Sequence, residues 1–171
     1  MASTDRITVF GAGYVGLVSG VCLAHSGHDV TVVDVDQAKL DALRAGRCPF
    51  FEPGLEALMR ETTAAGRLRF DLVDSLESIS GIAMIAVGTP ATATGSADMT
   101  YVRSVLDLLE ERAEDGTVVV MKSTVPPGTG ARYKHRLERH GLGYVSNPEF
   151  LREGSAVKDW FETDRVVLGG E

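Results

Sequence analysis

Residues 10–17, Phe-Gly-Ala-Gly-Tyr-Val-Gly-Leu, join the apolar residues 7–10 to a stretch with helical periodicity. The three glycines have different tasks in such a loop. Gly11 permits a tight turn, Gly13 lets the backbone approach a diphosphate, and Gly16 lets the helix lie close to the strand. The N–H groups at the start of the helix, together with its dipole, favour an anion. The stretch therefore predicts a phosphate-binding turn between a strand and a helix.

A carboxylate follows at the spacing expected of a dinucleotide site. Asp34 ends the second predicted strand, 18 residues after Gly16, and the acid that binds the ribose hydroxyls is expected after about 20 residues. A carboxylate would repel a 2′-phosphate, so the pattern favours NAD over NADP. The alternative is a glycine-rich turn followed by an aspartate that caps a helix. Lys39 is consistent either with a contact near the ribose or with a solvated helix charge.

Short apolar runs alternate with helical stretches along the chain. The runs are nearly continuous in apolar character, as expected of strands covered on both faces. Strands are predicted at residues 7–10, 30–33, 82–87 and 118–121, with weaker candidates at 68–72, 144–146 and 166–168. Beyond the first helix, helices are predicted at residues 36–45, 54–64, 100–112 and 129–140. This alternation predicts one Rossmann-type α/β domain over residues 1–171, a doubly wound and mainly parallel sheet with helices on both faces.

The composition is that of a soluble globular chain of 171 residues with a net charge of −7. Such an acidic surface disfavours non-specific binding to nucleic acid or to an anionic membrane. No apolar run approaches the roughly 20 residues that cross a bilayer. Cys22 and Cys48 lack the spacing of a metal site and fit a reducing compartment. We therefore expect a cytoplasmic protein without metal, nucleic-acid or membrane partners.

Polar residues collect in the loops after the fourth, fifth and sixth predicted strands, where ligands bind in such sheets. At Thr89 a plain strand-ending turn is an equal alternative. A ligand contact is favoured for Thr124, whereas Thr129 is expected to cap the next helix. Glu149 and Glu153 are four residues apart, which would place both carboxylates on one helix face with an arginine near both. Such a pair can perform acid–base chemistry, although a charged surface turn is the simpler interpretation.

Further motifs follow one another across nearly the whole chain. They are residues 10–17, 33–36, 49–55 (Pro-Phe-Phe-Glu-Pro-Gly-Leu), 87–90 (Val-Gly-Thr-Pro), 95–98, 122–126 (Lys-Ser-Thr-Val-Pro), 146–154 (Ser-Asn-Pro-Glu-Phe-Leu-Arg-Glu-Gly) and 164–169. With these motifs the chain resembles the UDP-glucose/GDP-mannose dehydrogenase family. The resemblance implies oxidation of a nucleotide-sugar alcohol at C6, as in UDP-glucose to UDP-glucuronate, with two successive hydride transfers to NAD. GDP-mannose or a UDP-N-acetylhexosamine as substrate, and a non-catalytic NAD-binding module, remain alternatives.

The resemblance also implies roles for individual residues. Those expected to contact NAD are Gly11, Gly13, Tyr14, Val15, Gly16, Asp34, Lys39, Thr89, Thr124 and Glu153. Those expected along the nucleotide sugar are Glu149, Phe150, Leu151, Arg152 and Glu153. Thr124 would help to hold a catalytic water, and Glu149 and Glu153 would serve acid–base and hydrolysis steps.

In the family, the chain continues through a linking helix into a second domain that carries a catalytic cysteine. Cys22 falls on the apolar stripe of the first helix and Cys48 lies in a loop outside the motifs matched to chemistry, so neither is assigned that role. We expect residues 1–171 to bind NAD without turnover and to expose apolar surface that the second domain covers. Family members are homo-oligomers, and the assembly of this chain is left open.

Overall fold

The computed structural model describes residues 5–170. Its strands are β1 (Arg6–Phe10), β2 (Asp29–Asp34), β3 (Leu68–Leu72), β4 (Ile82–Ile85), β5 (Val118–Met121) and β6 (Gly143–Ser146). Its α-helices are α1 (Tyr14–His25), α2 (Gln37–Arg44), α3 (Leu55–Ala64), α4 (Thr100–Arg112), α5 (Thr129–Glu138) and α6 (Ala156–Phe161). Residues 1–4 and 171, which the predicted domain also includes, lie outside this description.

The strands of the described range form one parallel sheet in the order β3-β2-β1-β4-β5-β6. The chain moves outward from β1 to β3 and then returns to place β4 on the other side of β1. Ile7 accordingly pairs with Val30 on one side and with Ile82 on the other. This reversal opens a crevice at the carboxyl ends of β1 and β4, where sheets of this kind bind ligands. The predicted doubly wound Rossmann-type fold is confirmed.

Two apolar cores cover the faces of the sheet. Successive side chains of a strand point to opposite faces, so Val9 packs in one core and Phe10 in the other. The first core includes Leu17 of α1, and the second includes Leu106 of α4. Because both faces are buried, the central strands read as almost continuous apolar runs. No helix within residues 5–170 is long and apolar enough to cross a membrane.

Most predicted elements are present, but one predicted strand and one predicted helix cap are wrong. The weak strand candidates at residues 68–72 and 144–146 are β3 and β6. The candidate at residues 166–168 is not a strand. Its side chains are exposed, and in the described range the nearest backbone pairing is a single bridge between Ser146 and Gly169. Thr129 does not cap α5. The N-cap is Gly128, with φ +85°, and the hydroxyl of Thr129 donates to the backbone oxygen of Pro126 at 2.6 Å.

Two turn glycines allow a direct test of how closely β1 and β4 approach. Gly66 and Gly81 both have positive φ, +73° and +78°. A Cβ atom on Gly66 would meet nothing among residues 5–170 within 4 Å, whereas one on Gly81 would lie 2.5 Å from the backbone oxygen of Arg6. We expect Gly66→Ala to lower the free energy of unfolding by about 1 kcal/mol, and Gly81→Ala to lower it by about 1–3 kcal/mol more. Urea unfolding followed by circular dichroism measures both, and equal losses would contradict the close approach.

Candidate functional site

The turn between β1 and α1 is so tight that it requires glycine at two positions. Gly11 has a φ angle of +102°, and a Cβ atom there would lie 2.7 Å from the backbone oxygen of Ala86. A Cβ atom on Gly16 would lie 1.9 Å from the backbone oxygen of Gly11. Both separations are much shorter than a non-bonded contact allows. These glycines are therefore explained by the turn itself.

Gly13 differs, because the turn does not require a glycine there. A Cβ atom at Gly13 would meet no atom of the described residues within 4 Å, and its φ angle of −77° suits any residue. Gly13 is also the N-cap of α1, and in the described part of the chain no side chain caps this helix. The first N–H groups of α1 lack acceptors within the helix, and its dipole favours an anion in front of them. The open space at Gly13 therefore fits a diphosphate group.

The carboxylate of Asp34 lies beside this turn and is held by three hydrogen bonds. Oδ2 accepts from the N–H of Ala12 at 2.8 Å and from Lys39 Nζ at 3.0 Å, while Oδ1 accepts from the N–H of Asp36 at 3.0 Å. Burial alone would raise the pKa of Asp34, but the hydrogen bonds outweigh burial and lower the pKa below its usual value. The group is therefore ionised at neutral pH.

The structure separates the interpretations that the sequence left open around Asp34. The N-cap of α2 is Asp36, whose Oδ1 accepts from the N–H of Lys39 at 3.1 Å, so Asp34 is not a helix cap. Lys39 pairs its ammonium group with Asp34 at 3.0 Å, while 31% of its side chain remains exposed. A carboxylate accepts about four hydrogen bonds and an ammonium group donates three. The pair can therefore still accept from one sugar hydroxyl and donate to another.

A cleft of about 590 Å³ extends from the glycine turn towards α4. Its lining includes Gly13 and Asp34 at the polar side and Val35 and Leu108 among its apolar walls. Tyr101, on the first turn of α4, also lines the cleft and is 55% exposed. Sequence reasoning did not assign Tyr101, although an aromatic residue off the apolar stripe of a helix is a usable signal. The cleft lies at the carboxyl ends of β1, β2 and β4, as expected from the sheet order.

Hydroxyl groups tie together the loops that follow β4 and β5. Thr89 Oγ1 donates to the backbone oxygen of Thr124 at 2.8 Å, and Ser123 Oγ donates to the backbone oxygen of Val87 at 2.7 Å. The two threonines predicted to contact a cofactor are thus neighbours on the edge of the sheet that also carries the glycine turn. The side chain of Thr124 is exposed, so its hydroxyl is accessible to a ligand.

The segment after β6 is not helical, so the prediction that Glu149 and Glu153 share a helix face is wrong. Pro148 disfavours helical backbone before it, and Gly154 has a φ angle of +86°. Helix α6 begins only at Ala156. Glu149 Oε2 accepts from the backbone N–H two residues further on at 2.5 Å, whereas Glu153 is exposed. The two carboxylates therefore have different surroundings.

Arg152 pairs with Asp159 of α6 and not with the two glutamates, which is a second correction. Arg152 Nε and Nη2 lie 3.0 and 2.6 Å from the two carboxylate oxygens of Asp159, and the N–H of Arg152 donates to the same carboxylate at 3.2 Å. The hydrogen bonds from Arg152 lower the pKa of Asp159. Phe150 is 51% exposed, with the guanidinium group of Arg165 4.8 Å from its ring centroid. These contacts hold the extended segment against Asp159 of α6 and against Arg165.

A second cavity, of about 780 Å³, lies beside this segment. Its lining includes the predicted sugar contacts Glu149, Phe150, Leu151 and Arg152. Leu151 is half-buried and packs on the first core, which anchors the middle of the segment. The lining of this cavity also includes Met84 of β4 and Trp160 of α6, so it is separate from the cleft at the glycine turn.

Lys122 is a polar group of this cavity that sequence reasoning did not assign. It is 6% exposed, its Nζ donates to Asn147 Oδ1 at 3.1 Å, and it lies 5.5 Å from the ring centroid of Trp160. Burial lowers the pKa of Lys122, and the negative charge of Glu149 opposes that shift. The sequence signal that could have identified it was a lysine directly after an apolar strand.

Residues 5–170 contain no group of three or more His, Cys, Asp or Glu side chains that could hold a metal ion.

Comparison with protein families agrees with this geometry. A model described as the UDP-glucose/GDP-mannose dehydrogenase family, NAD binding domain, matches residues 5–171. This chain belongs to the UDP-glucose/GDP-mannose dehydrogenase family. The matched part is the family's NAD-binding domain, which confirms the predicted family and the predicted cofactor.

Curated members of the family are similar over almost the whole chain. The UDP-glucose 6-dehydrogenase of Rhizobium meliloti (strain 1021) is 46% identical over 170 residues, which cover 96% of this chain and 39% of that protein. The UDP-glucose 6-dehydrogenase YwqF of Bacillus subtilis (strain 168) is 47% identical over 170 residues, with the same two coverages of 96% and 39%. The chain thus spans 39% of the length of each of these relatives.

Solved structures of the family share the fold. A UDP-glucose dehydrogenase from the hyperthermophilic archaeon Pyrobaculum islandicum superposes with a TM-score of 0.86 at 39% identity, covering 99% of this chain and 41% of that one. A ternary complex of GDP-mannose dehydrogenase from Pseudomonas aeruginosa gives a TM-score of 0.87 at 36% identity, covering 97% and 41%. The fold is therefore common to dehydrogenases named for different nucleotide sugars.

Because of the hydrogen bonds of Asp34, the free energy of unfolding should depend on pH. Because its pKa is lower in the folded chain than the ordinary value of about 3.9, the carboxylate stabilises the fold above that value. The contribution is lost as the pH falls through the lower folded pKa. We expect Asp34→Asn to lower the free energy of unfolding by about 1–2 kcal/mol at pH 7. The difference from the unmodified chain should shrink as the pH falls below about 4. Chemical denaturation at several pH values measures it, and a difference independent of pH would contradict the assignment.

Proposed function

We propose that this chain is the NAD-binding part of an enzyme that oxidises C6 of UDP-glucose to the carboxylate of UDP-glucuronate. The observation that carries the proposal is the juxtaposition, in one cleft, of the open space at Gly13 and the ionised carboxylate of Asp34. The space at Gly13 fits a diphosphate, and the carboxylate of Asp34 fits ribose hydroxyls. When bound, NAD supplies an acceptor for the hydride that leaves the sugar carbon.

Each part of the cleft would bind a different part of the dinucleotide. The N–H groups of Tyr14 and Val15 at the start of α1 would face the diphosphate, and Asp34 with Lys39 would hold the ribose. The same carboxylate would repel a 2′-phosphate, which favours NAD over NADP. The apolar walls, including Tyr101, suit an adenine ring.

The sugar side of the proposal rests on the second cavity. Glu149 and Arg152 line it together with the buried ammonium group of Lys122, so both signs of charge are present for a polar ligand. Thr124, Glu149 and Glu153 are the proposed catalytic side chains, and of these three Glu149 lines the cavity. The extended segment 150–153 would lie along the nucleotide sugar. UDP-glucose is favoured because the curated relatives at 46% and 47% identity bear its name, whereas the structure named for GDP-mannose is 36% identical.

Neither cysteine of the chain is suited to be the nucleophile that the family resemblance implies. Cys22 is fully buried in the first core, and burial raises its pKa to about 12. Burial raises the pKa of Cys48 to about 11, and its thiol lies 3.9 Å from the sulfur of Met59. Both thiols stay protonated at neutral pH, and only the thiolate is an effective nucleophile. We therefore propose that residues 1–171 bind NAD but need further residues for turnover.

The ribose assignment is tested by calorimetry with NAD and NADP. We expect Asp34→Ala to weaken NAD binding by about 10- to 100-fold, since hydrogen bonds to a charged group are lost, and to reduce the preference for NAD over NADP. Asp41→Ala is the matched control, because Asp41 is an exposed aspartate on α2 that pairs with Arg44. Unchanged NAD affinity in Asp34→Ala would reject the assignment.

Gly13→Ala tests the diphosphate end in the same calorimetric series. The added methyl group has space in the fold, so the free energy of unfolding should change by no more than about 0.5 kcal/mol. NAD binding should weaken by about tenfold or more, because the methyl group occupies the space proposed for the diphosphate. Full NAD affinity in a stable Gly13→Ala variant would place the diphosphate elsewhere.

The chain alone should not convert UDP-glucose. With NAD and UDP-glucose present, we expect no NADH absorbance above that of a mixture without protein, while a complete family enzyme in parallel produces NADH. The reason is the lack of a reactive thiolate among the described residues. Steady NADH production by the 171-residue chain would show that the residues present suffice, and would refute this part of the proposal.

A further inference from the structure

Glu52 is a buried carboxylate in the loop that precedes α3. It is 5% exposed, and Phe50, two residues before it, packs against the first core. Removing a carboxylate from water is unfavourable unless hydrogen bonds replace the lost hydration. The hydrogen bonds that Glu52 makes are therefore what allows a carboxylate to be buried at this position.

One oxygen of Glu52 joins two segments that are far apart in the sequence. Oε2 accepts from the hydroxyl of Tyr14 at 2.5 Å and from the backbone N–H of Gly154 at 2.8 Å. The Tyr14 hydroxyl also lies 3.2 Å from the backbone oxygen of Arg152. We call Tyr14, Glu52 and Gly154 the Glu52 clasp, and residues 149–154 the sugar segment.

The two ends of the Glu52 clasp belong to the two parts of the site. Tyr14 is the first residue of α1 and follows the glycine turn directly, so its backbone faces the proposed diphosphate. Gly154 ends the sugar segment and has the positive φ that stops a helix there. Packing also holds the tyrosine, whose ring centroid lies 4.9 Å from that of Phe50. Burial, with the hydrogen bond to Glu52, raises the pKa of Tyr14, so the phenol remains a donor.

The other oxygen of Glu52 argues against a merely stabilising role. Oε1 is buried and has no hydrogen-bond partner within the described part of the chain. An unpaired buried oxygen destabilises a fold, and an apolar residue of similar size would avoid that cost. The carboxylate instead provides one atom that accepts from both segments at once. The hydrogen bonds of Glu52 therefore fix the position of one segment relative to the other.

We propose that Glu52 is a positioning residue that holds the sugar segment in register with the dinucleotide turn. The proposal rests on the proposed function, because register matters only if NAD and a sugar occupy the two sides. With NAD on the turn, the first turn of α1 is restrained, and the Glu52 clasp passes that restraint to the sugar segment. A hydride donor and acceptor must be held at a fixed distance and orientation, and the clasp provides a direct connection for that purpose.

The test is amide hydrogen exchange of the 171-residue chain, measured residue by residue by NMR with and without NAD. Each protein is studied at an NAD concentration about tenfold above its own dissociation constant. In the unmodified chain we expect NAD to slow exchange at Leu151 to Gly154 by about threefold or more, since a restrained segment opens less often. The variants are Glu52→Ala, Glu52→Gln and Tyr14→Phe, with Glu61→Ala, an exposed glutamate of α3, as the matched control.

The variants separate positioning from folding. Glu52→Ala and Tyr14→Phe should lose the effect of NAD on the sugar segment, whereas Glu52→Gln, which keeps an accepting oxygen, and Glu61→Ala should retain it. Tyr14→Phe keeps the packed ring and removes only the hydroxyl, so it decides the question if Glu52→Ala does not fold.

Three results would overturn the proposal. If NAD binds the unmodified chain without slowing exchange in the sugar segment, the Glu52 clasp transmits nothing, while the proposed function stands. If Tyr14→Phe retains the full effect of NAD, the restraint travels by another route. If the unmodified chain does not bind NAD, the proposed function fails and this inference fails with it.

Discussion

The close contact between the start of α1 and the sheet is the constraint on which the rest of the site depends. Gly11 and Gly16 leave no room for a side chain, and Gly20 would place a Cβ atom 2.5 Å from Val32 Cγ2. The helix is therefore pressed against β1 and β2, with its N-terminus at the point where the strand order reverses. The N-terminus of α1, which carries the partial positive charge of the helix dipole, is thereby fixed beside the crevice of the sheet. The position of Tyr14, and of the loops that meet it, follows from this contact.

Charge in the site is arranged locally and independently of the acidic surface. The chain carries a net charge of −7, yet the glycine turn presents N–H groups and the second cavity holds the ammonium group of Lys122. Asp34 stays ionised because three donors converge on it, and Lys122 is held by Asn147. Each charged group is thus held in place by hydrogen bonds to fixed neighbours. The cytoplasmic location and the lack of nucleic-acid partners, expected from composition, stay predictions.

The sequence predicted those features that depend on local pattern. Apolar runs predicted the central strands, and the spacing of Gly11, Gly13 and Gly16 predicted the glycine turn. Both patterns involve residues that are close in the sequence. Asp34 was predicted as the ribose acid because the same pattern sets its distance along the chain, and its carboxylate lies beside the turn. The exposed run at residues 166–168 has the composition of a strand, but strand formation requires a partner that composition does not reveal.

Features set by distant contacts could not be predicted in this way. The extended form of residues 149–153 depends on Arg152 bonding to Asp159 and on Gly154, whose N–H reaches Glu52 across 102 positions of sequence. Glu52 became a candidate only when its burial was known, and burial also distinguishes Lys122 from a surface lysine. The most direct test of the account is a crystal structure of the chain grown with NAD. We predict the diphosphate within hydrogen-bond distance of the first N–H groups of α1 and a ribose hydroxyl on Asp34. A dinucleotide bound away from the glycine turn would contradict the account.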